Sequence, residues 1–82
     1  MRWYFKLIEK SPAFYRYAYS RESKSFDGVI VHFLSGQNTS IEKPCANDEG
    51  QTQSYSREVA IQKFDRFVVE ENFPEERSVC CG

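Results

Sequence analysis

This chain of 82 residues lacks three glycine-containing motifs by which many nucleotide-binding proteins and hydrolases are recognised. It contains four glycines, and none of the patterns GxGxxG, GxxxxGK and GxSxG occurs. A cleft that encloses a cofactor would consume most of the core of so small a domain. We therefore expect residues 1–82 to form one non-enzymatic domain, with no catalytic residues, no cofactor and no small-molecule substrate.

Long apolar runs are also missing. Nothing approaches the roughly 18 consecutive apolar residues of a membrane helix, and residues 1–10 carry Lys6 and Glu9 where a signal peptide would be apolar. The three cysteines are an odd number, which fits reduced thiols better than a disulfide framework. These absences predict a soluble, cytoplasmic protein that does not bind a membrane.

Metal-ligating residues are few. His32, Cys45, Cys80 and Cys81 would complete one Cys₃His zinc set by number alone. Structural zinc sites take paired ligands two to four residues apart, whereas Cys80 and Cys81 are adjacent and would point to opposite faces of a strand. We therefore predict no metal site, and we expect His32 to be an ordinary strand histidine with its polar atoms satisfied.

Aromatic residues, by contrast, are abundant at 16%, and the apolar fraction of 40% supports an ordered core. Short apolar and aromatic segments are separated by turn residues, which predicts β-strands. The predicted strands are Trp3–Glu9, Phe14–Ser20, Val29–Leu34 and Thr39–Lys43. The stretch Arg21–Asp27 is predicted to be a polar loop, and Cys45–Ser54 a second, exposed one.

A helix is predicted from Arg57 to about Asn72, where apolar residues fall on one stripe of a helical wheel. The stripe consists of Ala60, Ile61, Phe64, Phe67 and Val68. Ser56 is predicted to be the N-cap, and Pro74 prevents continuation. We expect Phe64 and Phe67 to supply most of the packing energy of this helix.

The order of elements is β-β-β-β-α, and a fifth strand is available from Arg77 to Cys81. Strands and helix are segregated along the chain, which predicts an α+β fold. We expect an antiparallel sheet of about four strands, with the helix packed on one face. In a fifth strand, Val79 and Cys81 would face inward and Cys80 outward.

The first two strands carry aromatic residues in alternation, which places them on defined faces of the sheet. One face of the second strand carries tyrosines alone, and one face of the first carries a tyrosine between two cations. The residues are Tyr15, Tyr17 and Tyr19 in the second strand, and Arg2, Tyr4 and Lys6 in the first. If the two faces coincide, the hairpin presents an exposed aromatic and basic surface.

Strand register decides whether these two faces coincide. A turn that pairs Glu9 with Phe14 places Lys6 opposite Tyr17, and the exposed surface forms. A register shifted by one residue turns the tyrosines inward, beside the apolar residues of the first strand. The sequence leaves both registers open.

We interpret the chain as a protein-interaction module that uses the sheet face opposite the helix, because tyrosine and arginine are frequent anchors of protein interfaces. The partner is another protein or a second copy of this chain.

Residues 1–24 carry six basic and two acidic side chains, whereas residues 25–82 carry five basic and ten acidic ones. This asymmetry supports an alternative, a binder of single-stranded nucleic acid on the first hairpin, although the net charge of −1 disfavours it.

A second alternative is a thiol-redox or soft-metal site at Cys80 and Cys81. Activation of a thiolate needs a neighbouring cation or base, and Arg77 is the cation nearest to the pair in sequence. The competing interpretation is that the cysteines mostly pack as small apolar residues at the end of the fifth strand.

Overall fold

The computed structural model describes residues 2–46 and 53–80, with only the backbone described at residues 53–56. The strands are β1 (Arg2–Lys10), β2 (Phe14–Arg21), β3 (Gly28–Phe33), β4 (Asn38–Lys43) and β5 (Glu76–Cys80). Helix α1 covers Gln53–Phe64 and continues as a π-helical segment, Asp65–Val69. The predicted α+β fold is confirmed, and so is its fifth strand.

The five strands form one antiparallel sheet in the order β4-β3-β2-β1-β5. The helix covers one face, which we call the inner face, and the opposite side is the outer face. Phe64 of α1 lies edge-on to two rings of the sheet, 5.5 Å from Phe5 and 5.2 Å from Tyr17 between ring centroids. Each fully buried aromatic side chain contributes roughly 1.5 to 3 kcal/mol, so this cluster holds the helix on the sheet.

The helix begins four residues earlier than the sequence predicts. Because α1 starts at Gln53, Ser56 lies within the helix and is not its N-cap, and the predicted loop Cys45–Ser54 extends two residues too far. Residues 47–52 of that loop lie outside the described residues. No helix in the described parts of the chain is long and apolar enough to cross a membrane.

The π-helical segment carries the last two residues of the predicted apolar stripe, Phe67 and Val68. Glu70 N–H donates to the Asp65 carbonyl at 3.0 Å, which closes a wider turn than that of an α-helix. Val68 is fully buried, whereas Phe67 is only partly buried. The prediction that Phe67 shares the main packing role is therefore wrong, whereas Val68, which also belongs to the predicted stripe, lies in the core cluster with Phe64.

A chain of hydrogen bonds connects β3 and β4 to the π-helical segment. The Thr39 hydroxyl donates to Asp65 at 2.6 Å and lies 2.8 Å from His32 Nδ1. The other ring nitrogen of His32 lies 3.2 Å from Gln37 Oε1. His32 is 2% exposed, which confirms the prediction of a strand histidine with satisfied polar atoms.

Candidate functional site

The hairpin of β1 and β2 adopts the register that buries its tyrosines. Phe5 pairs with Tyr19, so this side of β2 faces the helix, and both Tyr17 and Tyr19 are 0% exposed. The register that would have exposed them does not form, because Lys6 lies opposite Ala18 rather than opposite Tyr17.

A β-bulge at Ile8 produces this register. Next to the turn, Lys10 pairs with Tyr15, and the same register continued along β1 would place Lys6 opposite Tyr19. Ile8 has no residue opposite it in β2, so it shifts the remainder of β1 by one position. A shift of one residue exchanges the two faces of a strand, and the tyrosines turn inward.

The buried tyrosines have structural partners. The Tyr17 hydroxyl donates to the Pro74 carbonyl at 2.6 Å, and the Tyr19 hydroxyl accepts from the Cys45 N–H at 3.1 Å. Burial, together with the nearby Tyr15, raises the pKa of Tyr17 above its ordinary value. These roles take Tyr17 and Tyr19 out of the predicted interaction face.

Tyr15 also leaves that face. It lies on the inner side of β2, is partly buried, and packs edge-on against Phe73 with 4.1 Å between ring centroids. The predicted face is thus divided by the sheet, with the three β2 tyrosines inside and Arg2, Tyr4 and Lys6 outside.

Strand β5 supplies new neighbours for the three outer residues. Across the β1–β5 ladder, the pairs on the outer face are Arg2 with Cys80, Tyr4 with Ser78, and Lys6 with Glu76. The structure therefore brings one member of the predicted thiol site next to the outer half of the predicted interaction face.

The loop of residues 22–27 covers part of this surface. Phe26, which has a positive φ of 50°, lies edge-on to Tyr4 with 6.5 Å between ring centroids. The Lys6 ammonium lies 5.8 Å from the Phe26 ring centre, and the Lys24 ammonium lies 5.7 Å from that of Tyr4. Two rings and their cations thus form one connected group.

Asp27 anchors the end of this loop. Its carboxylate accepts hydrogen bonds from the Ala46 N–H at 2.9 Å and from the Ser25 hydroxyl at 3.0 Å. Burial alone would raise the pKa of Asp27, but these hydrogen bonds outweigh it and lower the pKa. The carboxylate therefore holds the loop at neutral pH.

We call the group of Arg2, Tyr4, Lys6, Lys24 and Phe26 the outer patch. Its three cations are exposed and its two rings are partly buried. Within the described parts of the chain, none of the three cations forms an ion pair. The patch therefore combines aromatic surface with three cations that form no ion pair among the described residues.

Two hollows flank Tyr4. One, of about 110 Å³, lies between Tyr4, Phe26 and the β5 residue Ser78. The other, of about 300 Å³, is lined by Arg2, Tyr4, Glu22 and Cys80. The ring of Tyr4 is a low ridge between two shallow depressions.

The other end of the outer face has its charges paired. The Arg16 guanidinium donates to Glu42 through Nε at 3.1 Å and Nη2 at 2.8 Å, and it also contacts the Glu9 carboxylate. Arg16 is therefore compensated by two carboxylates, unlike the cations of the outer patch.

Cys80 is exposed at the rim of the larger hollow, as predicted for an outward residue of β5, and Val79 is buried. Arg2 Nη2 lies 4.0 Å from the Cys80 Sγ, whereas Arg77, the cation nearest to the cysteines in sequence, donates to Glu71. Hydrogen bonds to Tyr4 and to Cys80 raise the pKa of Arg2. Cys81 lies outside the described residues.

The residues of the zinc set considered from sequence are not brought together. Cys45 and His32 are buried on the inner side, whereas Cys80 lies on the outer face. Among the residues that the structure describes, no group of three histidine, cysteine or acidic side chains is placed to hold a metal ion.

Sequence analysis did not identify Lys24 and Phe26 as part of the site. The available signal was a single aromatic residue within the otherwise polar stretch Arg21–Asp27. A lone aromatic ring in a polar loop packs on a nearby surface, here the ring of Tyr4.

Comparisons with protein-family models, with curated proteins and with solved structures find no match to this chain.

Proposed function

We propose that this chain is a non-enzymatic protein-interaction module of the cytoplasm, whose outer patch binds an acidic segment of a partner protein. The observation that carries the proposal is the placement of three cations, without ion pairs in the described chain, around Tyr4 and Phe26. A partner carboxylate over each cation and an apolar side chain against the rings complement this arrangement.

The two hollows suit an extended segment. In an extended chain, residues two apart lie on the same side and about 7 Å from each other, so two side chains can straddle the ridge of Tyr4. Glu22 borders one hollow and Glu76 the other. We therefore expect apolar or hydroxyl side chains of the partner in the hollows and its carboxylates over the cations.

The same geometry disfavours single-stranded nucleic acid. Sequence-independent binding of a single strand uses several aromatic rings on which successive bases stack. Three of the four tyrosines predicted for that role lie on the inner face of the sheet. The remaining one, Tyr4, has Lys24 over its ring and Phe26 at its edge. An acidic peptide does not require a ring face on which a base can stack.

A second candidate function is a reactive thiol at Cys80, because this cysteine is exposed with Arg2 beside it. A neighbouring cation is one of the features that mark reactive cysteines. Titration of the folded protein with a disulfide reagent at neutral pH tests it. Fast reaction that slows in Arg2→Gln supports this function, and a thiol that reacts only after unfolding excludes it.

The experiment for the main proposal is fluorescence anisotropy with a labelled peptide of ten glutamates and two central leucines. We expect binding that weakens with added salt and about fivefold in Lys24→Glu, since the reversal turns an attraction into a repulsion. The matched control is Arg57→Glu, an equal charge change at an exposed position of α1.

A labelled twelve-nucleotide thymidine strand of similar charge is titrated in parallel. Tighter binding of this strand than of the peptide would overturn the proposal in favour of the nucleic-acid alternative. Equal loss of peptide binding in Lys24→Glu and Arg57→Glu would also overturn it, because net charge alone would then explain the affinity.

A further inference from the structure

The two edges of the sheet are built differently. Strand β4 has a bulge in its pairing with β3 and is followed directly by Pro44, and both features prevent another strand from pairing there. Strand β5 pairs with β1 over five consecutive residues without a bulge, and Glu76–Cys80 contains no proline. The β5 edge therefore lacks the protection that the β4 edge has.

The backbone of β5 has a defined open side. Leu7 N–H donates to the Glu75 carbonyl at 2.8 Å, which shows that the odd-numbered residues of β1 turn their backbone groups toward β5. The backbone groups of their partners, Arg77 and Val79, therefore point toward β1. The backbone N–H and C=O groups of the alternate residues point away from β1 and are open, and these residues are Glu76, Ser78 and Cys80.

One contact on the open side is already present. The Ser78 carbonyl accepts a hydrogen bond from Arg77 Nη1 at 2.7 Å, which agrees with an orientation away from β1. A carbonyl oxygen has two lone pairs, so it can also accept from a second strand. No backbone hydrogen bond from another described segment reaches these three residues on that side.

We infer that two copies of this chain pair through their β5 strands, antiparallel, with Ser78 opposite Ser78 of the second copy. This register pairs all three outward-facing residues and gives a closed twofold arrangement. If one strand is shifted by two residues in either direction, only two of these three residues find partners. One of the two shifts also places Arg77 opposite Arg77 of the second copy. This pairing does not depend on the peptide binding proposed above.

The charges on the outer face favour this register. Glu76 would lie opposite Cys80 of the second copy, and the Arg2 guanidinium of that copy lies 4.0 Å from its Cys80 Sγ. Within its own sheet, Glu76 is the neighbour of Lys6. The carboxylate would therefore lie between two cations, and the twofold axis repeats the arrangement. A parallel pairing would instead place like charges side by side.

Pairing would also bring the two outer patches onto one continuous face. Tyr4 is opposite Ser78 in the β1–β5 ladder, so three strand spacings, about 14 Å, would separate the two Tyr4 residues. A partner with two acidic segments could then occupy both patches at once.

Sedimentation equilibrium in the presence of a reductant, from micromolar to millimolar chain concentration, tests the inference. We expect the mass to rise toward that of two chains. Ser78→Pro should abolish the rise while leaving the monomer folded, because proline removes an N–H that the sheet does not use. Ser78→Ala is the matched control and should associate like the parent chain. A parent chain that stays monomeric, or a dimer that survives Ser78→Pro, would overturn the inference.

Charge exchange gives an independent readout. Glu76→Lys should raise the dissociation constant about tenfold, and the double variant Glu76→Lys with Arg2→Glu should recover most of the loss. Equal dissociation constants for the parent and both variants would contradict the proposed register.

Cross-linking tests the twofold axis directly. In a chain carrying Cys80→Ser and Cys81→Ser, Ser78→Cys should form an interchain disulfide with oxidised glutathione, because paired Cα atoms at this position are about 5.5 Å apart. Glu76→Cys in the same background is the control, since its two copies would lie about 14 Å apart. Cross-linking of the control as fast as the test variant would overturn the register.

Discussion

Tyr19 packs directly on Gly28, its partner across the β2–β3 ladder. A Cβ at position 28 would lie 2.4 Å from the Tyr19 ring and 2.8 Å from the backbone nitrogen of Cys45. The ring is fully buried and its hydroxyl accepts from the same nitrogen, so it has little room to move. The absence of a side chain at Gly28 is therefore what lets Tyr19 lie inside.

Gly28→Ala should lower the free energy of unfolding by about 1 to 3 kcal/mol, the usual effect of overpacking. Urea denaturation measures it. Gly36→Ala is the control, because the nearest atom to its added Cβ is the Asn38 Cβ at 3.8 Å, an ordinary contact. Equal stability of the two variants would show that Tyr19 is not packed as described.

The raised pKa of Tyr17 predicts that the free energy of unfolding depends on pH in the alkaline range. Because burial raises its pKa, the folded chain keeps this proton at a pH where the unfolded chain, with a tyrosine pKa of about 10, has released it. Stability should therefore be unaffected by Tyr17 below about pH 10 and should fall as the pH rises further.

Tyr17→Phe removes this effect. At neutral pH we expect a loss of about 1 kcal/mol from the missing hydrogen bond to the Pro74 carbonyl. Above about pH 10, denaturation midpoints of the variant should fall less steeply than those of the parent chain. Parallel curves for the two proteins would mean that Tyr17 ionises equally in both states.

At the level of secondary-structure elements, the strands of the first hairpin could be predicted from sequence, but the pairing register between them could not. Alternation identified both strands and the residues that share each face, and it identified the inward register as one of two possibilities. The bulge could not be predicted, because Ile8 is an ordinary strand residue with no local turn signal. Only the burial of Tyr17 and Tyr19 against the helix distinguishes the two registers, and that is a property of the whole fold.

Deletion of Ile8 should leave the fold intact, because β1 would then continue without a bulge from Glu9 opposite Arg16 to Leu7 opposite Tyr17 and keep Lys6 opposite Ala18. Circular dichroism in the aromatic region and a thermal melt measure the outcome. Ile8→Thr keeps the residue count and the β-branched shape at a position that is 52% exposed, so its stability should change by no more than about 0.5 kcal/mol. Loss of the cooperative melt in the deletion variant would contradict the role of Ile8 as the bulged residue.

The helix illustrates a different limit. The apolar stripe contained Ala60, Phe64 and Val68, and all three are fully buried. Phe67 lies at one edge of the stripe and is only partly buried, and Lys63, Arg66 and Arg77 surround its ring. A helical wheel gives the direction of each side chain, but it does not show how far the sheet covers the edge of the stripe.

At the scale of the whole molecule, the excess of positive charge in the first 24 residues is divided into parts with different roles. Arg16 is neutralised by Glu9 and Glu42, and Lys10 lies over the ring of Tyr15. Arg2, Lys6 and Lys24 form the outer patch. The sequence indicated the asymmetry and two of these three patch cations, but the meeting of β1, β5 and the loop is a product of sheet order.

A heteronuclear NMR titration of labelled protein with the glutamate–leucine peptide tests whether the outer patch is the interaction site. We expect the largest chemical-shift changes at the amides of Tyr4, Lys24, Phe26 and Ser78, and no changes along α1. In Lys24→Glu the same resonances should move less at each peptide concentration. Changes centred on α1, or spread evenly over both faces of the sheet, would show that the peptide does not bind at the outer patch.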